Sequence, residues 1–147
     1  MAKIETQILI NAAPEKAWLL FMDFKEWPRW NPFLTAIEGV PKTGERLKVT
    51  GRLPDGMTMK FRPTVVKADE NRDFTWVGSL PIPGLFEGMH SFVFEPEGGK
   101  TLFKHSESFR GILPPFMPGM LKKSKAGFEM MNEAFKKLVE ETVEQGK

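Results

Sequence analysis

The last thirty residues, Pro115 to Glu144, constrain the fold more than any other stretch. Met117, Met120, Leu121, Phe128, Met131, Phe135, Leu138, Val139 and Val143 recur in steps of three and four, which marks one face of a long helix. The other face carries Lys122, Lys123, Lys125, Glu129, Glu133, Lys136, Lys137, Glu140 and Glu141, with Glu133 and Lys137 at i, i+4 spacing. Pro118 fits the first turn, where its missing N–H costs nothing. A helix of about 26 residues runs roughly 39 Å. That is more than a small domain needs, unless the helix is laid across a curved sheet. Gly127 falls on the apolar side, where glycine costs about 1 kcal/mol relative to alanine. Either another side chain packs closely against it, or the helix roofs a cavity and Gly127 leaves room for a ligand. Met117, Met120, Met130 and Met131 give such a roof an adaptable surface.

Upstream the period changes. Residues 3–11 alternate, with Ile4, Thr6, Ile8 and Ile10 on one face, and predict a strand. Ala12-Ala13-Pro14 opens a short helix to about Asp23, and residues 23–33 form a turn-rich segment broken by Pro28 and Pro32. Strands follow at 34–39, 45–53, 57–68, 72–79, 86–95 and 100–111, separated by proline, glycine and asparagine turns. Short connections imply antiparallel neighbours. One strand, two short helices, six strands and one long helix make an α+β layer structure, a single domain over residues 1–147.

Composition excludes several function classes. A net charge of +2 with both signs interspersed points to no nucleic-acid partner. The absence of cysteine removes disulfides, thiolate metal sites and cysteine nucleophiles, and the absence of tyrosine removes phenol chemistry. No apolar run reaches membrane-spanning length and no signal-peptide layout opens the chain, so a cytoplasmic protein without membrane insertion is expected. No serine triad order, phosphate loop, dinucleotide fingerprint or clustered metal spacing occurs, so no cofactor is expected.

Ile10-Asn11-Ala12-Ala13-Pro14 followed by Trp18, then the run from Phe21 through Trp27-Pro28-Arg29-Trp30-Asn31-Pro32-Phe33, carry a resemblance. So do Gly88-Met89-His90-Ser91-Phe92 and Phe103-Lys104-His105-Ser106-Glu107-Ser108-Phe109-Arg110-Gly111. Over nearly its whole length the chain resembles the START-like, or SRPBCC, superfamily, and more narrowly its polyketide cyclase/dehydrase-like members. The resemblance implies a helix-grip fold: a seven-stranded curved antiparallel sheet wrapped around a C-terminal helix, with a hydrophobic cavity between them. It implies a hydrophobic small molecule as partner, lipid-like, aromatic or polyketide-like. The alternatives are a cyclase, dehydratase or isomerase acting on a ketone-bearing substrate, and a protein-interaction module as in chaperone-activating relatives. Fold alone does not choose among them.

Alternation places Phe86, His90, Phe92 and Phe94 on one face, and Thr101, Phe103, His105, Glu107 and Phe109 on the face beside it. With Phe94 opposite Thr101, His90 faces His105; a slip of two residues sets His90 opposite Glu107 instead. Either register brings both histidines of the chain and a carboxylate onto one apolar face. Three roles are open: mutual satisfaction within the core, the polar end of a ligand pocket, or acid–base catalysis by His90, His105 and Glu107. Two histidines and a carboxylate are also suitable metal ligands, although the expectation is no metal. Glu107 is expected to favour the charged form of the nearer histidine, so that the two titrate apart.

The remaining candidate ligand contacts are Trp30, Phe33, Met59, Phe61, Trp76, Phe116, Gly127, Phe128 and Met131, with Phe92, Phe103 and Phe109 beside the histidines. Leu80 to Phe86 and Ile112 to Pro118 are proline-stiffened apolar loops, placed at the cavity mouth by the resemblance. Pro63 suits a bulge within the 57–68 strand. Asn31 either bonds a ligand or shapes the turn before Pro32.

Overall fold

The structure, a computed structural model, describes residues 2–79, 87–111 and 117–146. Strand β1 (Ala2–Ile10) leads into α1 (Pro14–Phe21), a 3-10 turn at Phe24–Glu26 and the single-turn α2 (Trp27–Trp30). Strands β2 (Leu34–Glu38), β3 (Lys48–Arg52), β4 (Thr58–Phe61), β5 (Thr64–Asp69), β6 (Asp73–Ser79), β7 (Glu87–Glu97) and β8 (Lys100–Arg110) follow, and α3 (Met117–Gln145) ends the chain. This is the α+β helix-grip architecture, with two short helices after the first strand.

Among the described residues the sheet has eight strands rather than the expected seven, in two sub-sheets ordered β1-β8-β7-β6-β5 and β2-β3-β4. The extra strand arises at Pro63. Lacking an N–H, Pro63 cannot continue a ladder, and the expected 57–68 strand breaks there into β4 and β5. Its carbonyl still accepts the N–H of Leu47 at 2.9 Å, and the Val65 N–H donates to Glu45 O at 2.9 Å. Residues 45–47, expected to begin the 45–53 strand, thus lie outside β3 and bridge the two sub-sheets at the corner.

The core is aromatic. Phe21 of α1 lies against Phe92 (ring centroids 4.8 Å apart), Phe103 (5.8 Å) and Phe135 (5.2 Å), joining helix, sheet and α3. Trp27 is fully buried, and its indole N–H donates to Phe21 O at 2.8 Å, so the end of α1 satisfies this buried polar group. Two lysines help tie helix α3 down. Lys123 pairs with Asp55 at 2.9 Å, and Lys136 donates to Leu9 O and to Glu140, each at 2.6 Å. Lys136–Glu140 is therefore the i, i+4 pair that forms; no ion pair joins Glu133 to Lys137 among the described residues. No helix among the described residues is long and apolar enough to cross a membrane.

The room left by Gly127 is occupied: a Cβ placed there would run into the ring of Phe33, itself 4% exposed. Close packing, and not an open ligand space, accounts for this glycine. Gly127→Ala is therefore expected to destabilise by about 1–3 kcal/mol through overpacking, against the ~1 kcal/mol that helix propensity returns. Urea unfolding checks the sign, and a second substitution, Phe33→Leu, should recover most of the loss.

Candidate functional site

The β7–β8 hairpin turns on Gly98 and Gly99, with φ of 56° and 84°. Two residues of positive φ make the tight loop that matches strand twist, and glycine adopts them without strain. Glu97 consequently pairs with Lys100, and the register runs Phe94↔Phe103, Phe92↔His105 and His90↔Glu107. This corrects the His90–His105 cross-strand pairing in favour of the register slipped by two. The two rings nevertheless meet on the diagonal, Nε2 to Nε2, at 2.7 Å.

Around that contact the surface is apolar. Phe128 of α3 lies flat on His105, with centroids 3.9 Å apart and planes 5° apart. His90 stacks on Phe92 at 4.8 Å and on Phe128 at 4.9 Å, with Trp76 beside it at 5.1 Å. His105 Nδ1 reaches Asn132 Oδ1 of α3 at 2.9 Å, and Asn132 Nδ2 reaches Thr6 Oγ1 of β1 at 2.8 Å. On the other side, His90 Nδ1 stands 3.8 Å from Glu107 Oε1. Glu107 Oε2 lies over Gly88, where a Cβ would come within 2.6 Å, so only glycine leaves room for the carboxyl at this place.

Burial sets the charge of every member. It pushes Glu107 up to about 8 and His105 down to about 3, the hydrogen bond to Asn132 opposing the latter only in part. It also holds His90 well below its ordinary value, with the neighbouring His105 adding to the effect. At neutral pH the cluster thus consists of a carboxylic acid and two uncharged imidazoles. The expectation that Glu107 holds the nearer histidine charged is corrected: an un-ionised carboxyl attracts no imidazolium. A metal reading has no geometric support, since the two Nε2 atoms face each other at hydrogen-bond distance. Among the described residues no group of three His, Asp or Glu side chains is disposed to hold an ion.

The cluster meets solvent at its edge. A cleft of about 590 Å³ runs along β1 and β8 beside α3; Ile4, Thr6 and Glu107 are among its walls, which are otherwise charged or polar, with Lys3, Lys104, Lys125 and Glu129. Glu107 keeps 21% of its side-chain surface exposed, whereas His90 and His105 are 3% and 0% exposed. Of the cluster's ionisable groups, a ligand in the cleft therefore meets Glu107 first, with the histidines behind it.

The other sequence candidates divide. Trp76 and Phe128 line the histidine pair, and Phe109 borders Gly88, its partner in the register. Phe92 packs on both histidines and Phe103 on His105, while Phe33 and Met131 belong to the buried core. Met59, Phe61 and Trp30 are partly buried against that core. Asn31 shapes its turn, its Oδ1 accepting the N–H groups of Phe33 (3.0 Å) and Leu34 (2.9 Å). Phe116, the loop expected at Leu80 to Phe86 and residues 112–116 of the second loop lie outside the described residues, while Met117 and Pro118, expected in that loop, open α3. Asn132, Thr6 as a bonding group, and Gly88 were not among the sequence candidates. Asn132 had a legible signal, being the one amide on the apolar stripe between Phe128 and Phe135.

A long helix gripped by a curved antiparallel sheet defines the START-like class of domains. The chain belongs to the family described as polyketide cyclase / dehydrase and lipid transport, which matches residues 1–145. Its structure is similar to that of protein MLL2253 from Mesorhizobium loti (TM-score 0.75, 19% identity, covering 96% of this chain and 98% of that one). It is also similar to a START superfamily protein from Mycobacterium smegmatis (TM-score 0.76, 19% identity, 95% and 98% covered). A third similar structure is the di-domain ARO/CYC StfQ from the steffimycin biosynthetic pathway (TM-score 0.69, 13% identity), in which 97% of this chain matches 51% of that one. No curated protein matches the sequence.

Proposed function

We propose that this domain binds a hydrophobic, ketone-bearing small molecule and acts on it by acid–base chemistry at Glu107, as a cyclase, dehydratase or isomerase. The observation that carries this reading is the place of the Glu107 carboxyl, on the wall of a cleft and 3.8 Å from a buried histidine pair, where burial favours its un-ionised form. The family description, which names cyclases and dehydrases, supports it, and so does the fold shared with an ARO/CYC protein.

A neutral carboxyl can work at both oxygens without separating charge in a desolvated site. With a β-hydroxy ketone, one oxygen receives the proton from the carbon next to the carbonyl, and that C–H pair becomes the new double bond. The other oxygen gives its proton to the departing hydroxyl, which takes the C–O pair and leaves as water. The products are an unsaturated ketone and a regenerated carboxyl. With a simple ketone the same two transfers interconvert ketone and enol.

The test uses 2-tetralone in deuterated buffer, following α-proton exchange by NMR. Wild type is expected to exchange it at least about 100-fold faster than Glu107→Gln, the usual scale for a positioned acid or base. Equal rates overturn the catalytic assignment. If 2-tetralone shifts the histidine ring signals without exchanging, the domain is a binder of hydrophobic molecules and not an enzyme acting on them.

A further inference from the structure

Thr6 closes a chain of hydrogen bonds whose direction follows donor by donor. Its hydroxyl lies 2.7 Å from the carbonyl oxygen of His105, which can only accept, so Thr6 donates there. The Thr6 oxygen then accepts from Asn132 Nδ2 at 2.8 Å, which turns the Asn132 oxygen toward His105 Nδ1 at 2.9 Å. An amide oxygen has no proton to give, so His105 carries its hydrogen on Nδ1. An uncharged His105 is bare at Nε2, and the 2.7 Å contact there makes His90 the donor, from its own Nε2. His90 is left bare at Nδ1, the atom that faces Glu107 Oε1.

We infer that Asn132 and Thr6 are positioning residues for Glu107: by fixing both histidine tautomers, they present its carboxyl with an acceptor and never a donor, and so keep it in the proton-bearing form. The arrangement also tells the two oxygens apart. Oε1 stands 3.8 Å from the bare nitrogen, which can accept a proton from it, while Oε2 lies above Gly88. The 3.8 Å separation is of the kind that shortens to a hydrogen bond once a ligand fills the site. With the opposite tautomers, an N–H of His90 would face Oε1 and favour the carboxylate, and the acid would be lost. The consequence for the reaction rests on the function proposed above; the tautomers themselves do not.

Long-range proton–nitrogen correlation spectra of the ¹⁵N-labelled protein at pH 7 read the tautomers directly, because the chain has only two histidines. With the rings assigned through their backbone connectivities, His105 is expected to be protonated at Nδ1 and His90 at Nε2. Thr6→Val removes the hydroxyl that orients Asn132, and should raise the minor tautomer of His105 by roughly five- to tenfold, the factor one ordinary hydrogen bond carries. Thr6→Ser should restore the wild-type spectrum. Asn132→Leu, which leaves no acceptor at Nδ1, should move His105 toward the Nε2-protonated tautomer and His90 toward the Nδ1-protonated one, and stands in if the valine variant does not fold. The reverse assignment or two rings in the same tautomer in wild type, or a folded Thr6→Val or Asn132→Leu protein with an unchanged spectrum, overturns the inference. None of these outcomes needs a substrate, so they stay distinct from failure of the exchange experiment.

Discussion

Glu107→Gln is expected to stabilise the protein by about 4 kcal/mol at pH 8 while changing little at pH 4.5. In the unfolded chain this carboxyl ionises near its ordinary 4.5; in the fold it holds its proton to about 8. The stability it contributes is complete below pH 4.5 and is lost as pH rises through that window, at about 1.4 kcal/mol per unit. Glutamine keeps the shape over Gly88 and the neutrality, so it escapes the loss. Urea unfolding of both proteins at the two pH values measures the difference. Since the same substitution removes the proposed acid, a more stable protein that no longer exchanges ketone protons is the expected combination, as for other strained functional groups. A glutamine variant no more stable than wild type at pH 8 would show Glu107 ionised at ordinary pH.

The second large effect concerns the whole cluster: its contribution to stability should peak near pH 6.5. Both histidines are held below their ordinary 6.5, so the unfolded chain takes up two protons below that pH that the fold refuses. Stability from the pair is present above 6.5 and lost as pH falls. Glu107 works in the opposite sense, the fold keeping a proton between 4.5 and 8 that the unfolded chain has released. Between 4.5 and 6.5 two histidine protons outweigh one carboxyl proton, and stability rises with pH. From 6.5 to 8 the carboxyl acts alone, and stability falls by about 2 kcal/mol. Glu107→Gln should remove the alkaline fall and leave the acid one. A flat profile from pH 5 to 8 in wild type contradicts the shared burial of the three groups.

Much of this was legible in the sequence because periodicity reports burial directly. The steps of three and four in α3 and the alternation of Phe92, Phe94, Phe103, His105 and Phe109 follow from which face each residue buries, and the structure keeps them. The register was less legible. Alternation is blind to a shift of two residues, and the choice rested on whether Gly98-Gly99 formed the entire loop. Splitting of the 57–68 strand depended on the single missing N–H of Pro63, a signal present but open to more than one outcome. Gly127 had the same ambiguity: glycine on a buried face states that something comes close, and only the fold shows Phe33 there. Charge was the least legible feature. A histidine near a glutamate suggests an ion pair when both are in water, and the reverse once burial removes the charge of each.

The most direct test of the account is the titration of the Glu107 carboxyl, followed by ¹³C NMR and assigned by its disappearance in Glu107→Gln. The account predicts a midpoint near pH 8, with both histidine rings uncharged throughout the range from pH 5 to 8. A midpoint near 4.5, accompanied by protonation of either ring near 6.5, would contradict it.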